Sequence, residues 1–135
     1  MRVAGLNLVA VLGAAVAIYM LGFVIYGLLV TPDSWMAMAG ISKEAADAVG
    51  MTRMPFSPLM PLATAIGMAV LFQWANVSGA GNGAKWGLLV AMLSALPALW
   101  YGWVYGVAPV SGTLLDSGHL LAGHALAGAI LARWR

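Results

Sequence analysis

No cysteine occurs among the 135 residues, which excludes disulfides, thiolate nucleophiles and cysteine-based metal sites and leaves the redox compartment open. Charge is nearly as scarce. Only 7% of the residues are Asp, Glu, Lys or Arg, against 63% hydrophobic, and a water-soluble domain of this size could not cover so much apolar surface with so few ionisable groups. The net charge of +2 rests on six basic and four acidic residues, too few for the basic stripe that nucleic-acid binding needs. The fragments contain no His-Glu-x-x-His pattern for a hydrolytic zinc centre. Ser94, Ser111 and Ser117 lack the strand-turn-helix setting of a catalytic serine, and the nine methionines form no copper-type array and read as adaptable packing. These absences point to a non-enzymatic membrane protein.

What is present is apolar length. The opening run "MRVAGLNLVAVLGAAVAIYMLGFVIYGLLV" has the positive start of a signal peptide, but it far exceeds an h-region of about 7 to 15 residues and reads as a retained transmembrane helix. Three further apolar segments follow, and the spans are expected at about 3–30, 58–77, 86–107 and 113–132. Lipid offers backbone groups no water, so each should be helical. The fold class is all-α, a single four-helix transmembrane domain over 1–135. Ser57 before Pro58 reads as a helix start, "NVSGAGNGAK" as a short flexible turn, and Pro97 as a kink inside the third span.

Four spans put both termini on one side, with Arg2, Lys85, Arg133 and Arg135. Lys43 and Arg53 lie on the other with Asp33, Glu44 and Asp47. The excess of basic residues places the termini in the cytoplasm. Trp74, Trp86 and Trp134 then mark the inner interface and Trp35, Trp100 and Trp103 the outer one, with Tyr26 as a further belt residue. The extracytoplasmic loop 31–57 should hold a short amphipathic helix capped by Ser42 before "KEAADAV". A loop of this length serves as a cover or a docking surface.

Polar residues inside the spans are few, and each has two readings. Gly112, Asp116, His119, Gly123 and Ala127 share a face of the last span, within about 80° of one another at about 100° per residue. Asp116 either completes a capping box with Thr113 at the start of that span or pairs with His119 one turn away as an intramembrane functional site. His119 and His124 read as interhelical hydrogen-bonding residues. Alternatively they read as ligands of a haem or chlorophyll-type metal, because Gly123 and Gly128, each four residues on, could leave room for a flat ring. Asn7 shares a small face with Ala10, Ala14 and Ala17, and Thr64 shares one with Gly67 and Met68, which lets other helices approach.

The first span ends "LGFVIYG", Trp35 follows, and the last span reads "DSGHLLAGHALAGAILARW". In these features the chain resembles the small bacterial membrane proteins grouped as domain-of-unknown-function family 1761. It departs from them at Ile25, where an aromatic is expected before Tyr26, and at Ser117-Gly118-His119, where Gly-Tyr-His is commoner. The resemblance implies four transmembrane helices in a bacterial inner membrane and no established chemistry. Taken together, the residues lead to a protein acting by helix packing, as a homo-oligomer or as an accessory subunit of a larger membrane complex of respiratory or photosynthetic type. Its partners are the bilayer, itself or other subunits, and not nucleic acid. The alternatives are a small ion, proton or solute transporter using Asp116 and His119 along a path lined by Thr64 and Asn7, and tetrapyrrole binding through His119 or His124.

Overall fold

The computed structural model describes residues 2–3 and 5–134; Arg135, counted above with the inner charges, lies outside them. Four helices are long and apolar enough to cross a membrane: Leu8–Leu29, Met54–Trp74, Ala80–Val104 and Val110–Arg133. Their limits differ from the sequence expectation for identifiable reasons.

The first span starts later than residue 3. Arg2–Val3 (β1) and Leu6–Asn7 (β2) form a two-stranded turn, and α1 (Leu8–Gly22) begins where the Asn7 side chain accepts from the amides of Val9 and Ala10 at 3.2 and 3.5 Å. The same amide donates to the Trp134 carbonyl at 2.6 Å. Asn7 therefore ties the start of the first span to the end of the last, and Asn7→Ala should lower unfolding stability in mild detergent by about 1–2 kcal/mol, read by thermal unfolding. A wider π-helical segment, Phe23–Leu29, completes the span.

The loop 31–57 holds two helices rather than one. Thr31 caps α2 (Pro32–Ala39), with Pro32 and Asp33 in the first turn and Gly40 closing it in the left-handed conformation at φ 68°, which L side chains adopt at a cost. Ser42 caps α3 (Lys43–Arg53), accepting from the Ala45 amide at 3.3 Å. Within α3 Lys43 pairs with Asp47 at 2.8 Å. Its hydrogen bond to Asp47 holds the ammonium pKa above the usual value. The amide of Glu44 itself, with Ser42, holds the Glu44 carboxyl below the usual range.

Ser57 does not cap the second span. It already has helical angles at the end of a 3-10 turn, Met54–Phe56, and α4 (Leu59–Trp74) follows Pro58. "NVSGAGNGAK" is largely helix instead of a flexible turn, because Asn76 and Gly79 make the reversal with positive φ and α5 (Ala80–Val90) begins at once. A π-helical stretch, Ala91–Ala95, then leads into α6 (Leu96–Val104). Pro97 in its first turn has no amide proton to donate, and the widened turns accommodate it. The last span, α7 (Val110–Arg133), starts after Pro109 without a side-chain cap. The capping box is thus overturned: Thr113 is buried one turn inside the helix.

Helix α7 is the centre of the bundle. It packs most extensively on α5, then on α1, with α4 lying against α1. Lipid tails are as apolar as leucine, so burial of apolar surface drives no association and close backbone approach must do it. The core is correspondingly built from small residues, with Ala10, Ala14, Ala65 and Ala127 at 1% exposure or less around Met68, Phe72 and Leu131. Val9, Leu12, Val16 and Phe23 on the first span face outward and are exposed. Gly83 and Gly87 of α5 lie against the carbonyls of Gly128 and His124 on α7, so close that a Cβ at either would overlap them.

Candidate functional site

The face of α7 that carries Asp116, His119, Gly123 and Ala127 meets the first span. Ile18 and Leu21 lie over Gly123, and His119 lies over Gly22. At the end of the bundle away from the termini Asp116 and His119 do not pair with each other. Tyr26, on the π-helical segment, stands between them: its hydroxyl donates to Asp116 Oδ1, and its ring meets the His119 imidazole edge-on, centroids 5.5 Å apart at 82°. Tyr26 is therefore a site residue that sequence reasoning placed in the aromatic belt. The available signal was depth, since Tyr26 near the end of the first span and Asp116 near the start of the last occupy the same level of an antiparallel pair. π-helical turns displace side chains relative to an α-helix and recur at functional positions.

Asp116 also lines a pocket of about 240 Å³ with Tyr26, Trp35, Met38, Trp103 and Thr113. Helix α2 lines one side of it. Gly112 admits the Met38 backbone, where a Cβ would come within 2.6 Å of the carbonyl oxygen, and Gly40 sits against Pro109. Trp100 donates to Ser117 Oγ at 3.1 Å, and Ser117 donates to the Thr113 carbonyl at 2.7 Å, which holds α6 against α7. Trp100 and Trp103 meet edge-on with centroids 5.4 Å apart. The outer tryptophans thus border the pocket or brace it. Of the inner ones, Trp74 is exposed at the end of α4, Trp134 is exposed after α7, and Trp86 packs against the core.

Among the described residues Asp116 has no cationic partner, and His119 Nε2 is buried with no hydrogen-bond partner. A partly buried carboxylate with two indoles beside it can attract a cation by charge and by the negative faces of the rings. The other expected path residues lie elsewhere. Asn7 is at the opposite end of the bundle, bonded to Trp134. Thr64 borders a separate cleft with His124. His119 lies against Gly22, and neither Asn7 nor Thr64 borders the Asp116 pocket.

The space beside the two glycines that follow the histidines is taken by neighbouring helices. Gly123 faces Ile18 and Leu21, and Gly128 is packed on the Gly83 backbone. Both glycines serve close helix approach.

No curated protein and no solved structure matches the chain. The model of the family described as "Protein of unknown function (DUF1761)" matches residues 9–132, nearly the whole chain, with its four apolar helices, and the chain belongs to that family.

Proposed function

We propose that this chain is a non-enzymatic inner-membrane protein of bacterial type that binds a small cationic solute in the outer pocket and moves it across the bilayer as part of an oligomer. The carrying observation is Asp116: a carboxylate at membrane depth without a cationic partner among the described residues, oriented by Tyr26 and facing a pocket bordered by Trp35 and Trp103. An intramembrane charge is costly to maintain and calls for a function. A pocket of about 240 Å³ suits a compact organic ammonium, which would gain both the carboxylate and the indole faces.

Orientation follows from charge. Arg2, Lys85 and Arg133 lie at the end of the bundle that carries the termini, while Lys43 and Arg53, with Asp33, Glu44 and Asp47, lie in the loop segment at the other. This supports cytoplasmic termini and a pocket that opens toward the outside. An oligomer is part of the proposal because one chain offers little polar lining for a path across the bilayer.

The second reading, an accessory subunit that acts by helix packing, is favoured by Gly118, an exposed glycine with open space beside it on the outward side of α7, where another transmembrane helix could approach closely. Uptake of radiolabelled tetramethylammonium into proteoliposomes distinguishes the two. Saturable uptake that Asp116→Asn removes supports transport. Uptake equal to that of empty vesicles, with co-purification of a larger complex in mild detergent, would replace it with the accessory role.

A further inference from the structure

A second opening lies at mid-bilayer, apart from the Asp116 pocket. It is a cleft of about 450 Å³ between α4, the π-helical turn Ala91–Ala95 and α7, bordered by Thr64, Gly67, Met68, Ser94 and His124. Its apolar walls, Leu71, Val90 and Leu120 among them, suit a molecule that arrives through the lipid.

The polar atoms at the cleft have a defined hydrogen-bonding sense. His124 is 7% exposed, and its Nδ1 lies 2.8 Å from the Leu120 carbonyl. A carbonyl only accepts, so the proton sits on Nδ1 and the lone pair of the neutral ring is on Nε2. No carboxylate borders the cleft to hold an imidazolium. Nε2, the edge turned from Leu120, has no hydrogen-bond partner among the described residues. Ser94 spends its hydroxyl proton on the Val90 carbonyl at 2.7 Å, so it too presents lone pairs. The cleft thus presents acceptors at His124 and Ser94, while Thr64 brings a hydroxyl that can donate or accept.

We infer that this cleft binds a lipid-soluble hydroxyl compound of phenol type, whose O–H donates to His124 Nε2. A bare metal ion is the poorer occupant, because no group of three His, Asp or Glu side chains converges among the described residues. A flat macrocycle on Nε2 would extend over the next turn of α7, which α5 covers at Gly83 and Gly87.

The test uses the full chain in detergent micelles with ¹⁵N-labelled histidine, the two rings being assigned with a His119→Gln variant. 4-Butylphenol and its methyl ether, alike in shape but different in donor capacity, are titrated in parallel. The expected result is a shift of the His124 Nε2 resonance by the phenol at concentrations at least about tenfold lower than any effect of the ether, since one hydrogen bond separates the two probes. Gly67→Leu serves as the second arm. A Cβ at Gly67 meets nothing within 4 Å, so leucine should enter the cleft without disturbing the fold and abolish the shift. Equal effects of phenol and ether, a phenol shift at His119 instead of His124, or a shift retained in Gly67→Leu would each overturn the inference. A visible absorption band from a co-purifying pigment would replace it with macrocycle binding.

Discussion

Gly87→Ala is expected to loosen the bundle by forcing α5 away from α7. A Cβ there would overlap the His124 carbonyl oxygen and lie 2.7 Å from the carbonyl carbon and 3.2 Å from the Ala125 Cα. These are backbone atoms of a regular helix and cannot swing aside as a flexible side chain would. The helices must separate, and separation forfeits the dispersion contacts that hold them together in lipid. Overpacking costs about 1–3 kcal/mol, and the upper end is expected because α5 and α7 form the most extensive contact in the molecule. Titration with a denaturing detergent should show this as a lowered unfolding midpoint. Gly81→Ala is the control on the same helix. Nothing lies within 4 Å of its Cβ, so the change should be neutral or stabilising by up to about 1 kcal/mol through helix propensity. Equal behaviour of the two variants would show that this approach of α5 to α7 does not hold the bundle together.

Asp116→Asn should weaken cation binding in the outer pocket about thirtyfold or more. The change keeps the size of the side chain and an oxygen for the Tyr26 hydroxyl, but it removes the charge. Removing one partner of a desolvated charge pair costs about 2–5 kcal/mol, and about 1.4 kcal/mol is a factor of ten in affinity. Tyr26→Phe removes only the donor that orients the carboxylate, so it should produce a smaller loss and leave selectivity for cations over neutral analogues intact. Trp103→Ala should fall between, since a cation–π contact contributes about 0.5–2 kcal/mol. Binding of tetramethylammonium measured by titration calorimetry in micelles reads all three. Undiminished binding by Asp116→Asn would remove the proposed site.

The membrane class and the number of helices were legible because they depend on composition and run length alone. The polar face of the last span was legible too, since helical periodicity places Asp116, His119, Gly123 and Ala127 together whatever they meet. What they meet was not. Asp116 had His119 as its nearest ionisable neighbour along the chain, yet the bond is made by Tyr26, ninety residues away, in a π-helical turn that periodicity assumes to be α-helical. The glycines after each histidine were also ambiguous. A gap beside a glycine can hold a ring or a helix, and the difference depends on the neighbour. Gly83 and Gly87 read locally as turn or helix-start residues and turned out to be the seat of the closest helix contact.

The sequence by itself determined the solvent, because sparse charge and long apolar runs leave lipid as the only medium in which this backbone can be satisfied. It also determined which side chains would be costly at depth. Tertiary structure alone decided their partners, the lining of the outer pocket by α2, and the separation of the His124 cleft from the Asp116 pocket. Those depend on which helix lies beside which, and between surfaces of similar apolarity that choice rests on where small residues let backbones touch.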